Sequence, residues 1–284
     1  MGVLYVVATP IGNLEDITLR ALRVLREVGL IAAEDTRTTV KLLNRFKIST
    51  PMVSFFEHNE LVRRDEILQA LVKQDVALVS EAGMPTISDP GYRLVQAAIA
   101  QGVPIVPVPG PSAVLAALAV SGLPTDSFLF LGFLPRRRGA RQRRLAAVRD
   151  QPQTLICFEA PHRLLATLRD MKEIFGDRQL AVACELTKMY EEVWRGTVHG
   201  ALERFEQAHP RGEFTLVVAG ALKEDSVWEE TRVRRALVEL ISTGVSRRDA
   251  VAQVATLAQW SKRAVYRLAV EGSTSDDKRR RANA

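Results

Sequence analysis

Four short apolar runs, at residues 3 to 8, 30 to 33, 76 to 80 and 105 to 108, each stop abruptly in a loop of turn-forming and polar residues. No other feature limits the fold as much. Continuous apolar runs of this length read as strands buried on both faces, and the stretches between them carry helical spacing. Between Asp16 and Gly29, for example, Leu19, Leu22, Leu25 and Val28 recur at that spacing, with Asp16 as the expected N-cap and Gly29 as the stop. Leu94, Val95, Ala98 and Ile99 repeat the pattern before Gly102. Strands alternating with helices give an α/β sheet covered by helices.

After a break near Gly122 to Asp126, further strands are expected at 127 to 133, 154 to 158, 180 to 184, 192 to 198 and 213 to 219, with a helix after Pro161. From 229 to 270 the pattern changes to three short helical segments whose apolar stripe is Leu237, Leu240, Val251, Val254, Leu257, Val265 and Leu268. Their lengths suggest a helix-turn-helix unit. The expected organisation is two α/β domains over 1–121 and 122–222, a helical module over 223–272 and a disordered tail over 273–284. At 284 residues and 47% hydrophobic, the chain is long enough for two buried cores. No apolar run approaches the roughly 18 residues of a membrane-spanning helix, and the start lacks a secretory pattern. A cytoplasmic chain with no membrane partner is expected. Cys157 and Cys184, in apolar runs without CxxC spacing, predict neither a disulfide framework nor a metal site.

The net charge of +6 is unevenly spread. Residues 135 to 149 hold seven arginines, among them Arg136, Arg137, Arg138 and Arg141, and no acid. The helical module adds Lys262, Arg263 and Arg267, and the tail is basic as well, whereas acids outnumber bases over the rest of the chain. Such concentration fits a surface that meets phosphate, so nucleic acid is the partner the charge suggests. A solvated arginine loop is the alternative.

Four loops at strand ends carry the chemistry. They are Thr9 to Asn13, Glu34 to Arg37, the thirteen residues Val79 to Gly91, and Pro107 to Ala113, which opens a small-residue helix. In open α/β sheets ligands bind outside the carboxyl ends of the strands. Four such loops on one sheet therefore predict a single shared pocket.

The ordered segments TPIGNLEDIT, EDTRTT, SEAGMPTISDPG, PGPSAVLAALAVSGLP, GFLPRR, FEAPHR, ELTK and GEFTLVVAG together resemble the bacterial ribosomal small subunit methyltransferase I family, of the tetrapyrrole-methylase-like class III methyltransferases. The resemblance spans residues 3 to 272. It implies two α/β domains of tetrapyrrole-methylase type and a homodimer using S-adenosylmethionine. It also implies 2′-O-methylation of a cytidine in the decoding region of 16S ribosomal RNA, within the assembled small subunit. It places cofactor contacts at Pro10, Ser80, Gly83, Met84, Ile87, Ser112 and Ala113 of the first domain, and at Phe158, Leu186, Phe214 and Thr215 of the second. Gly83 and Ser112 are expected to hydrogen-bond the methionine end. Glu81 and Met84 depart from the family pattern, which usually has aspartate and threonine there.

A ribose hydroxyl must lose its proton to become a nucleophile, and Glu34, Asp35, Glu185 and Lys188 are the candidate acceptors. Lys188 requires a lowered pKa for that role; its alternative role, like that of Arg37, is a phosphate contact. Two rivals share these features: a small-molecule tetrapyrrole methylase of the same fold, and a non-catalytic RNA-binding assembly factor. Binding of S-adenosylmethionine separates the second from an enzyme.

Overall fold

The structure is a computed structural model that describes residues 1–207, 210–221, 228–258 and 260–270. It divides into two units, Met1–Ala221 and Leu222–Ala284.

The first unit contains two sheets. Strands β1 (Leu4–Val7), β2 (Leu30–Ala33), β3 (Met52–Ser54), β4 (Val76–Val79) and β5 (Ile105–Val108) pair in the order β3-β2-β4-β1-β5. All four pairings are parallel. Helices α1 (Leu19–Glu27), α2 (Thr36–Arg45), α3 (Glu60–Leu71) and α4 (Tyr92–Ala100) connect them, and α5 (Ala113–Ser121) follows β5. Alternate strand residues feed opposite cores. Ile31, Ala33, Ala77 and Val79 pack under α1 and α2, while Ala32, Val76 and Leu78 pack under α3 and α4. Burial on both faces is why these strands read as unbroken apolar runs. Edge strand β3 escapes the sequence reading because it has three residues, all only half-buried. The expected cap of α1 is corrected too. Thr18 caps it, its Oγ1 accepting from the Ala21 N–H at 3.0 Å, while Asp16 ends a separate 3-10 turn, Leu14–Asp16, capped by Asn13.

The second sheet orders β6 (Phe128–Phe133), β7 (Thr154–Glu159), β8 (Gln179–Cys184), β9 (Glu192–Thr197) and β10 (Phe214–Val218) as β6-β7-β10-β8-β9. Only β6 and β7 run parallel; the other pairings are antiparallel. One face is covered by α6 (Arg138–Ala146), α7 (Leu164–Phe175) and α8 (Val198–Gln207). The other face is covered by α5, whose Val114, Ala117 and Leu118 pack on Ile156, Ala181, Ala183 and Val217. Thus the last helix of the expected first domain is core for the second sheet. This ties both sheets into one unit and fixes the strand ends that face each other.

The second unit holds α9 (Glu230–Ser242), α10 (Arg247–Ala258) and α11 (262–270), packed around Val233, Leu237, Val251, Val254, Val265 and Leu268. Lys262, Arg263 and Arg267 are exposed on α11. The tail expected from residue 273 lies outside the described residues. Among the described residues no helix is long and apolar enough to cross a membrane.

Candidate active site

The loops after β1, β2, β4 and β5 meet the ends of β6, β7, β8 and β10 around a cleft of about 550 Å³. Every cofactor residue implied by the resemblance lines it except Ser80. Ser80 is buried behind the loop, its hydroxyl aimed at the Ala82 and Gly83 carbonyls at 3.2 and 3.4 Å, so it shapes the wall from behind. Gly83 also differs from expectation. Its N–H donates to the Thr9 carbonyl at 3.0 Å and its carbonyl accepts from the Thr9 N–H at 2.9 Å. With both groups engaged and a φ of +78°, Gly83 clamps the β1 and β4 loops together and donates nothing to a ligand. Ser112 caps α5 by accepting from the Leu115 N–H at 3.5 Å, which leaves its own proton to donate.

Strain gathers at this cleft. Thr86 and Ser88 on the β4 loop, and Glu185 and Thr187 after β8, have positive φ values of 74°, 69°, 50° and 67°. Non-glycine residues held there cost about 1 to 3 kcal/mol each and cluster at functional sites.

The acids separate into distinct groups. Glu34 lines the cleft; burial raises its pKa, with the charges of Glu81 and Asp35 adding to the effect, although its Oε2 accepts from the Glu81 N–H at 3.1 Å. Asp89 lies beside it, and the sequence reading did not single it out as a base. Burial, aided by the Glu34 charge, pushes its carboxyl up to about 7, against a hydrogen bond from Ser80. Among the described residues no ion pair reaches Glu34, Glu81 or Asp89.

Asp35, by contrast, caps α2 and pairs with Arg37 at 2.9 Å, which holds its carboxyl down at about 2. It does not line the cleft, and a carboxylate so stabilised is a weak base. Glu185 is likewise outside the lining, bonded to Lys188 at 2.9 Å and held below its ordinary pKa by that contact. Lys188 does line the cleft. Burial disfavours its charge, yet hydrogen bonds to Glu185 and to Glu213, the latter at 3.1 Å, outweigh this and raise its pKa. That is opposite to the direction a lysine base requires.

The arginine segment is also corrected. Residues 138 to 146 form a helix, and its arginines are not equivalent. Arg141 is buried against Asp170 at 2.6 Å, and Arg138 bridges Asp170 and Glu173 at 3.2 and 3.1 Å. Arg141 therefore faces no RNA, and Arg138, though exposed, has its charge answered by α7. Arg136 and Arg137 stay exposed without an ion-pair partner among the described residues.

With this geometry in view, the comparisons with known proteins decide the family. The tetrapyrrole (corrin/porphyrin) methylases match residues 3–201. A ribosomal RNA small subunit methyltransferase I from Synechocystis is 47% identical over 95% of this chain and 98% of its own. The chain belongs to the ribosomal RNA small subunit methyltransferase I family. A Thermotoga maritima member is 52% identical over 78% of this chain and 99% of its own, so that member lacks a counterpart for about a fifth of this chain. Among solved structures, a uroporphyrin-III C-methyltransferase from Thermus thermophilus, complexed with S-adenosyl homocysteine, superposes with a TM-score of 0.55. It covers 77% of this chain and 97% of its own at 19% identity, a likeness of fold. Among the described residues no group of His, Cys, Asp and Glu is arranged to hold a metal ion.

Proposed function

We propose that the chain is a cytoplasmic enzyme that methylates the 2′-hydroxyl of a cytidine ribose in the decoding region of 16S ribosomal RNA, acting as a homodimer on the assembled small subunit. The observation that carries the chemistry is the position of Asp89 in a cleft walled by the residues expected to hold S-adenosylmethionine.

The cleft fits that cofactor. Phe158, Phe214, Leu186 and Ile87 offer an apolar wall for its adenosine, and the Ser112 hydroxyl is a donor for its carboxylate. Glu34, Glu81 and Asp89 complement a ligand that carries positive charge. When bound, S-adenosylmethionine supplies a methyl carbon activated by the adjacent sulfonium.

The chain's own contribution is alignment and proton removal. Fixing an oxygen opposite that carbon is worth roughly 7 to 11 kcal/mol in well-oriented reactions. A base with a pKa near the working pH adds about 10²- to 10⁴-fold, and Asp89 is the lining carboxylate tuned to that range. Its carboxylate would take the hydroxyl proton, while the methyl group would come from the bound cofactor by loss of its carbon–sulfur bond, leaving the neutral thioether. Lys188, held charged between Glu185 and Glu213, orients the substrate's polar groups at the cleft mouth. Exposed Arg136 and Arg137, and on the other unit Lys262, Arg263 and Arg267, supply phosphate contacts.

The test is to incubate unmethylated small subunits with the protein and labelled S-adenosylmethionine, then digest the RNA for nucleoside mass spectrometry. A single 2′-O-methylated cytidine is expected. A base-methylated nucleoside would overturn the ribose assignment, and unlabelled RNA would overturn the substrate.

A further inference from the structure

A regular strand places residues three apart on opposite faces, yet Phe130 and Phe133 of β6 both pack on Phe158 of β7, with ring centroids 5.0 and 5.4 Å away. The register explains it. Phe130 pairs with Ile156 and Phe133 with Phe158, so β6 spends three residues where β7 spends two. This is a β-bulge, uncommon between parallel strands, and Gly132 within it has a φ of +65°. Bulges re-aim side chains, and this one turns Phe133 onto the cleft face. The outcome is an aromatic ring at the cleft rim that remains 58% exposed.

The backbone beyond Phe133 is held firmly. Leu134 is buried, and the Arg163 guanidinium donates to the Leu134 and Pro135 carbonyls at 2.5 and 3.3 Å. Arg163 pairs in turn with buried Glu159 at 3.2 Å, whose other oxygen accepts from the Thr167 hydroxyl at 2.5 Å. Two exposed guanidinium groups follow, Arg136 and Arg137. An exposed ring on a rigid mount, followed by unpaired cations, is the arrangement by which proteins hold single-stranded nucleic acid: the ring stacks a base and the cations follow the backbone.

We propose that Phe133 is a stacking platform for a nucleobase of the substrate strand, with Arg136 and Arg137 contacting the adjoining phosphates. This rests on the RNA-methylating reading of the same cleft. The platform requires an unstacked base at the cleft mouth, which selects single-stranded or splayed-out RNA over a continuous duplex.

The experiment compares Phe133→Ala, Phe133→Leu and Phe133→Trp, measuring kcat/KM on unmethylated small subunits and S-adenosylmethionine affinity by calorimetry. Stacking on an aromatic ring predicts a loss on the order of 10- to 100-fold in kcat/KM for Phe133→Ala. Phe133→Leu should lose nearly as much, since it keeps apolar bulk without a π-face, and Phe133→Trp should retain activity. Cofactor affinity should fall far less than kcat/KM in Phe133→Ala and Phe133→Leu, since Phe158 is the one ring of the cofactor wall that Phe133 packs on among the described residues. A fall in cofactor affinity that accounts for the lost activity makes Phe133 a wall for the cofactor's adenine and overturns the proposal. So does full activity in Phe133→Leu. Wild-type protein that binds S-adenosylmethionine yet labels no ribosomal RNA removes the substrate reading and the platform with it. Wild-type labelling matched by all three variants removes the platform alone.

Discussion

Beyond the end of β4, Asp89 stands with Glu34 and Glu81 without an ion-paired cation among the described residues, whereas after β8 Lys188 is held between Glu185 and Glu213. Both clusters border one cleft and both sit in loops with left-handed non-glycine residues. Their proton affinities move in opposite senses. Burial and like charge push Asp89 toward neutrality near pH 7, while mutual pairing keeps Lys188 and Glu185 ionised. An answered charge is a fixed prop; an unanswered one can trade protons. A parallel contrast, of charge and not of protons, divides the arginines around α6, where Arg138 and Arg141 are answered by α7 while Arg136 and Arg137 have no ion-pair partner among the described residues.

The most severe way to break the contrast is to remove the tradable proton. Asp89→Asn should lower kcat by about 10²- to 10⁴-fold, with cofactor affinity measured in parallel by calorimetry. The sign of the pH dependence follows from the role. A base works when deprotonated, so wild-type kcat/KM, which reports the free protein, should rise with pH through about 7 and then level off, and the variant should lose that limb. Glu34→Gln sharpens the point: deleting a neighbouring negative charge should move the limb to lower pH. A limb unmoved by both changes would take the proton away from Asp89.

Next in size, Arg141→Ala strands the Asp170 carboxylate in the core. Breaking a buried ion pair costs about 3 to 5 kcal/mol, and the lower end is expected because Arg138 and Gln142 still reach Asp170. Denaturant unfolding reads this directly, and a loss below about 1 kcal/mol would mean that Arg141 is not structural.

Lys188→Met should be milder. It removes hydrogen bonds to two carboxylates in a half-exposed site, with an expected stability loss of about 1 kcal/mol. Turnover should fall less than in Asp89→Asn. A larger fall, with the pH limb intact, would instead make Lys188 the group that positions the reacting oxygen.

The smallest effect concerns salt. Each phosphate contact on single-stranded nucleic acid contributes about −0.7 to the slope of log affinity against log salt. Arg136→Ala with Arg137→Ala should flatten the slope by about 1.4, and Arg138→Ala by clearly less, because its guanidinium already serves Asp170 and Glu173. Equal slopes from the pair and from Arg138→Ala would erase the distinction between answered and unanswered charge.

The sequence alone determined much of this protein. Strand β2 was legible to the residue because burial on both faces writes an unbroken apolar run, and edge strand β5, only half-buried, because its apolar run stops at a turn of proline and glycine; the loop after β2 was marked instead by the abrupt change to four polar residues, Glu34 to Arg37. The quoted motifs, Pro10 through Thr215, marked most of the cleft wall before any tertiary contact was known. What only the tertiary structure decided depends on groups far apart in the chain. Asp89 is tuned by burial and by Glu34, which arrives from another strand end. Arg141 is silenced by Asp170 of α7, which a count of charges within residues 135 to 149 leaves out. Phe133 is turned into the cleft by a bulge whose register is defined only against β7. Local periodicity encodes which element a residue joins, but proton affinity, pairing and side-chain aim are set by distances through space, and those exist only once the two sheets are in place.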